Sequence, residues 1–242
     1  NSVNGLTVED PTVSGVTLLN NPNQPNSHHS NNYVQGVSKG GEYGVYAFKP
    51  QYNKIDWNVT GATIFGIDIQ NSGAYGKNKG NIIDGIVYDS VEGASINSSS
   101  NIVRVVLSEI QARGMVIAGS SNIIDVVCDS VSSLSSTFSL QVSGSRNQIR
   151  ISSVGNSSGV SISVSGNDNV IDGVVEGSVS VSGDGNEFRG ELNLDSATAI
   201  SNSGNGNNFS GVKGCSGLFF GSGTTNGTGD VTITSPTRPA GL

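Results

Sequence analysis

The stretch Asn81-Ile82-Ile83-Asp84-Gly85 returns six more times along the chain in altered form. Its shape is Asn, any residue, a large apolar residue, a polar residue, then Gly or a β-branched apolar residue. The other copies begin at Asn101 (NIVRV), Asn122 (NIIDV), Asn147 (NQIRI), Asn169 (NVIDG), Asn186 (NEFRG) and Asn207 (NNFSG). Successive starts lie 20, 21, 25, 22, 17 and 21 residues apart. A recurrence near twenty residues marks a solenoid, in which each repeat buries its apolar face only by stacking on the next.

Before most copies stands a short alternating stretch and then a Gly/Ser turn. Met115-Val116-Ile117 precedes Gly119, Leu140-Gln141-Val142 precedes Gly144, Ile162-Ser163-Val164 precedes Gly166, and Val179-Ser180-Val181 precedes Gly183. Apolar residues two apart on a polar background make a strand with one buried face. Gly and Asn tolerate positive φ, so the chain can corner sharply between strands. Each coil therefore reads as strand, corner at Asn, strand, often with a third short strand such as Asp129-Ser130-Val131. The expected fold is all-β, a single-stranded parallel β-helix solenoid of about 20–22 residues per coil with a C-terminal cap. Its recurring Asn stacks at one corner, where side-chain amides can form a hydrogen-bonded ladder. Helices do not fit, because the runs are short, Gly and Ser are frequent, and Ala and Leu are scarce.

The polar residue of the phrase forms a second column: Asp84, Arg104, Asp125, Arg150, Asp172, Arg189, then Ser210. Stacked about 4.8 Å apart, each Asp lies beside Arg on the outer face, a favourable cross-strand arrangement that a slip of one coil would turn into repulsion. The structural ladder is the preferred reading. As catalytic groups Asp84 and Asp125 would stand roughly 9–10 Å apart, at the wide end of the inverting separation. Arg104 between them favours the ionised form of both, the wrong direction for a general acid.

Composition bounds the rest. The 242 residues are 34% apolar with 34 Gly and a net charge of −7, which suits a narrow solenoid core with Gly at corners. Without a Lys/Arg cluster no nucleic-acid partner is expected, and without a long apolar run no membrane insertion is expected. Cys128 and Cys215 are the only cysteines, too few for a disulfide framework or a metal site. Cys128 aligns with Leu107 of the preceding copy and reads as a small buried residue. His28 and His29 sit in a Pro/Asn-rich stretch with no third ligand in view, so neither a metal nor a cofactor is expected. The chain opens at Asn1 in ordinary polar sequence with no signal segment, as expected of a piece of something longer.

Three segments follow. Residues 1–59 hold the first coils, an Asn/Pro-rich insertion from Asn20 to Asn32, and an aromatic-rich end; residues 60–213 are the regular β-helix; residues 214–242 are a cap or oligomerisation segment. Tyr33, Tyr43, Tyr46, Phe48, Tyr52, Trp57, Phe65 and Tyr75 cluster near the start, out of 7 Phe, 6 Tyr and 1 Trp in the whole chain. Aromatics there can plug the open end of the solenoid. They can also form a glycan-binding surface, with Trp57, Tyr43, Tyr46, Tyr52 and Tyr75 as candidate stacking rings. Glu42, Asp56 and Asp68 are the candidate catalytic carboxylates, with Asp56 and Asp68 the pair expected to share a groove. Asp68 lies between Ile67 and Ile69 and should point outward.

The stacked phrases and their SGSRN, SGNDN and SGDGN corners resemble the right-handed parallel β-helix of bacteriophage tailspikes, within the broader pectate-lyase-like class. The resemblance covers about residues 60–213 and is one of repeat length, corner chemistry and composition; no catalytic motif of that class is visible. It implies a homotrimer on the virion tail, extracellular, that recognises bacterial surface polysaccharide during host attachment. It also implies, as an alternative, an endoglycosidase or lyase that depolymerises that polysaccharide. A structural or adhesive β-solenoid of a bacterial surface protein is the third reading.

Overall fold

The computed structural model describes residues 2–19, 31–70, 80–129, 140–154, 162–176, 179–193, 200–210, 212–213 and 232–234. Among them there is no helix. Two parallel sheets face one another across a narrow core, one of twelve strands and one of nine. The long sheet, A, runs β1 (Ser2–Glu9), β3 (Tyr33–Lys39), β5 (Lys54–Thr60), β7 (Ile82–Tyr88), β9 (Ile102–Ser108), β11 (Ile123–Asp129), β13 (Gln148–Val154), β15 (Val170–Glu176), β17 (Glu187–Asn193) and β19 (Asn208–Ser210). β20 (Val212–Lys213) pairs with β17, and β21 (Thr232–Thr234) with β19. Sheet B runs β2 (Ser14–Leu19), β4 (Tyr43–Phe48), β6 (Phe65–Gln70), β8 (Glu92–Ile96), β10 (Met115–Ile117), β12 (Leu140–Val142), β14 (Ile162–Val164), β16 (Val179–Val181) and β18 (Ile200–Asn202). The chain alternates between the sheets once per coil, so every pairing joins one coil to the next, as a parallel β-helix requires. Among the described residues no coil adds a third strand; of the candidate Asp129-Ser130-Val131, Asp129 ends β11, and Ser130 and Val131 lie outside the described residues.

The register turns the sequence phrase into columns. The apolar third residue stacks as Val34, Ile55, Ile83, Val103, Ile124, Ile149, Ile171, Phe188 and Phe209, all buried. At its far end the rings of Phe188 and Phe209 stack at 4.8 Å. Sheet B contributes Ile67, Ala94, Met115, Leu140, Ile162 and Val179 from the facing side. Full burial of each such side chain contributes roughly 1.5–3 kcal/mol before the entropy of ordering is subtracted. Cys128 stands beside Leu107 and is buried, as its place in the repeat predicts.

The Asn corner is a continuous ladder. Asn101 donates its backbone N–H and its Nδ2–H to Oδ1 of Asn122, and the same double bond links Asn122 to Asn147, Asn147 to Asn169, Asn169 to Asn186 and Asn186 to Asn207. Several of these amides spend their other Nδ2–H on a backbone carbonyl, as Asn147 does on Gly119 and Asn169 on Gly144. The corner glycines let the coils close up: a Cβ on Gly144 or Gly166 would overlap the carbonyl of the coil before it.

The ladder is longer than the seven copies read from the sequence. Asn32 donates in the same way to Asn53, and Asn53 to Asn81. Their phrases, Asn32-Tyr33-Val34-Gln35-Gly36 and Asn53-Lys54-Ile55-Asp56-Trp57, fit the pattern except that Trp57 takes the Gly or β-branched position. The regular stack thus includes residues assigned above to an aromatic-rich end. Coil length along the ladder ranges from 17 to 28 residues, wider than expected.

Candidate functional site

Trp57 occupies the core. It is 0% exposed, and its Nε1–H donates to Ser38 Oγ at 3.1 Å. Gly36 and Gly85 hold the register positions on either side of it, and a Cβ on Gly36 would come within 2.5 Å of the indole. Trp57 is therefore the plug of a wide early coil and offers no ring face to a sugar, against the expectation that it stacks on glycan.

The expected pairing of Asp56 with Asp68 also fails. Asp56 lies on the outer face of sheet A, where Gln35 donates to it at 3.2 Å; Asp68 lies on sheet B, across the core. Tyr52 is exposed in the turn between β4 and β5 with a φ of 50°, off the outer face of β4. Tyr75, His28, His29, Cys215 and the Leu218-Phe219-Phe220 cluster lie outside the described residues.

The charge column is in register from Asp84 to Arg189. Arg104 grips Asp84 through two bonds of 2.6 and 3.0 Å, and Asp84 holds the guanidinium pKa above its ordinary value. Arg150 reaches Asp125 at 3.8 Å. Arg189 instead turns to Glu187 of its own strand, at 2.7 Å, so Asp172 is not held as the alternation predicts. The alternation also stops at the start, where Asp56 lies beside Asp84.

The outer face of sheet B gathers a different set. Tyr43, Phe65 and Glu92 are in register, as are Tyr46, Asp68 and Ser95. Between these columns sit Gly44, Gly66 and Gly93, whose Cβ positions would run into Val59, Val87 and Leu107 of sheet A. Val45, Ile67 and Ala94, the next residues, also face the core. Two consecutive inward positions bring residues three apart onto the same outer face. The ring contact of Tyr43 with Tyr46, 5.2 Å between centroids, follows from this, and Phe65 stacks on Tyr43 at 6.4 Å.

Asp68 is at the centre of that face. By alternation it points away from the core, as expected, yet it is 3% exposed. Gln70 Nε2 donates to its Oδ1 at 2.6 Å, and Asn97 Nδ2 donates to Gln70 Oε1 at 3.3 Å. Burial raises the Asp68 pKa; the bonds from Gln70 and Ser95 oppose the rise, and the nearby Glu92 charge adds to it. Burial likewise raises the Tyr43 phenol, with the charges of Asp68 and Glu42 adding. Glu42 is exposed in the turn before β4, next to Tyr43.

Glu92 was not singled out by sequence reasoning. It pairs with Arg113 at 2.7 Å, while its Oε2 is buried with no hydrogen-bond partner. The missed signal is a second phrase, any residue, Gly, apolar, any residue, apolar. It occurs at Ser14-Gly15-Val16-Thr17-Leu18, Tyr43-Gly44-Val45-Tyr46-Ala47, Phe65-Gly66-Ile67-Asp68-Ile69, Glu92-Gly93-Ala94-Ser95-Ile96 and Arg113-Gly114-Met115-Val116-Ile117. Aligned on Gly, it places Tyr43, Phe65, Glu92 and Arg113 in one column. The site is thus a small surface of three aromatic rings beside a buried carboxyl, a carboxylate–guanidinium pair and two amides. Among the described residues no group of three or more His, Cys, Asp or Glu is placed to hold a metal ion.

Fold and site together define a parallel β-helix with an aromatic–carboxyl patch on one flank. Compared with protein families, curated proteins and solved structures, the chain finds no match.

Proposed function

We propose that this solenoid recognises bacterial surface polysaccharide through the outer face of β4, β6 and β8, as the receptor-binding part of a tailspike-type protein. One observation carries the reading: Tyr43, Tyr46 and Phe65 lie on one face beside Asp68, Gln70 and Asn97. Ring faces stack on the C–H faces of pyranoses, and amide and carboxyl groups beside them bond the hydroxyls. The flat, polar continuation of sheet B through Gln141, Ser163 and Ser180 gives an extended chain room to lie along the flank.

A depolymerase is the second reading, favoured by the raised pKa of Asp68 beside Glu92. A carboxyl whose hold on its proton burial strengthens, near a second, ion-paired carboxylate, is the kind of arrangement that divides acid and base roles in glycoside cleavage. The test is incubation of the chain with a panel of bacterial polysaccharides, measuring both binding and the size of the products. Binding that is lost in Tyr46→Ala, with the polysaccharide left at its original size by the native chain, supports recognition. Oligosaccharide release that Asp68→Asn abolishes supports cleavage. A panel with neither leaves the structural solenoid as the better account.

A further inference from the structure

The outer face of sheet A does not look like a solvent face. An exposed sheet face normally alternates polar residues against the buried apolar ones. Here Ile86, Ile102, Val106 and Ile123 are 46%, 39%, 36% and 53% exposed and flank the charged column on both sides. Ile82, Ile102 and Ile123 form one stripe in register, and Ile86, Val106 and Val127 the other. The equivalent column of sheet B reads Val116, Gln141, Ser163, Ser180 and Ser201, mostly small and polar. Apolar patches of this kind on a folded surface mark places where something docks.

We propose that two copies of this chain pair face to face through sheet A, about a two-fold axis parallel to the strands and lying between β9 and β11. Such an axis keeps each column opposite itself and reverses the order of the coils. Ile102 then meets Ile123 of the second copy, and Val106 meets its Val127. Because charge alternates along the middle column, reversal places Arg104 opposite Asp125 and Asp84 opposite Arg150, each twice by symmetry. An axis along the stack would set Asp84 on Asp84 and Arg104 on Arg104. The ladder is thus self-complementary in one isologous arrangement and self-repelling in the other. At the rim Asp56 faces Asp172 in water, the one like-charge contact.

The area suffices. Six strands from β5 to β15, spaced ~4.8 Å and seven residues long, make a face of ~29 by ~23 Å, so two copies bury roughly 1,300 Å2, within the range of stable interfaces. The trimer implied by the tailspike resemblance is a different assembly, since a three-fold joins unlike flanks.

The test is sedimentation equilibrium of the whole chain, from micromolar concentration upward. The expected mass is that of two chains. Ile123→Lys, exposed in the single chain and so harmless to the fold, should give one chain. Arg104→Asp alone and Asp125→Arg alone should each weaken pairing about tenfold or more, because each homodimer then opposes like charges. An equimolar mixture of those two variants should pair again, since each supplies the charge the other lacks. One-chain mass throughout, three-chain mass, a dimer indifferent to Ile123→Lys, or a mixture no better than its components would each overturn the proposal.

Discussion

Asn101 gives both its backbone N–H and its side-chain Nδ2–H to a single acceptor, Oδ1 of Asn122, at 2.9 and 3.0 Å. Both residues are buried. Asn122→Ala therefore orphans two donors of Asn101 and removes the bond from Asn122 Nδ2 to Ser98 O. A buried polar group without a partner costs about 1–3 kcal/mol, so the expected loss is about 3 kcal/mol or more. Asn32 is only partly buried and has one ladder neighbour among the described residues, Asn53. Asn32→Ala should cost a fraction of that, because stability in a solenoid is a sum over neighbouring coils. Urea unfolding midpoints of the two variants check the ranking; equal losses would contradict the ladder account.

Trp57 should behave as a core residue in every assay. Trp57→Phe removes the bond to Ser38 Oγ and part of the ring volume between Gly36 and Gly85, and should cost about 1–3 kcal/mol. Gly36→Ala should be at least as damaging, since the new methyl meets the indole. Glycan binding, where found, should survive Trp57→Phe at temperatures where the variant is folded, as titration with the polysaccharide would show.

The solenoid was legible because its rule is local. An Asn with an apolar residue two positions on recurs at spacings of 17 to 28 residues, and stacking makes each position of the phrase a column whatever the length of the coil between. The copy at Asn53 escaped notice because Trp57 stands where a Gly or β-branched residue was expected, and only register reveals that Gly36 and Gly85 make room for it; the copy at Asn32 fits the phrase but its Asn was counted in the Asn/Pro-rich insertion. Asp68 was found from alternation alone. Glu92 was not, since the double inward step at Gly93 and Ala94 breaks the period of two that sequence reasoning relies on. The choice of partner by Arg189, Glu187 in its own strand over Asp172 in the next, depends on side-chain reach that spacing does not encode.

Cys128 should make the fold lose stability in alkali. Burial pushes its thiol from 9.0 up to about 12. Between those values the unfolded chain releases the proton and the folded chain keeps it, so rising pH favours unfolding. One such group contributes a slope of about 1.4 kcal/mol per pH unit in that window. Cys128→Val should remove this part of the alkaline slope, and the native thiol should resist alkylation until the chain unfolds. Rapid labelling of Cys128 under native conditions would contradict the burial on which this rests.

Asp68 should act with the same sign at the acid end. Its folded pKa lies above the ordinary 3.8, chiefly through burial, so the native state holds a proton that the unfolded state has given up. Rising pH from that ordinary value through the folded one therefore lowers stability, and above the folded pKa the loss is complete and constant. Asn keeps an acceptor for Gln70 Nε2 and carries no charge toward Glu92. Asp68→Asn should then flatten this part of the profile and unfold at higher urea than the native chain at neutral pH. Midpoints measured across the carboxylate range give the answer directly. A native profile that rises with pH over that window, and that Asp68→Asn flattens, would mean that Gln70 and Ser95 stabilise the ionised carboxylate more than burial penalises it. The polysaccharide-cleavage reading would then lose its acid.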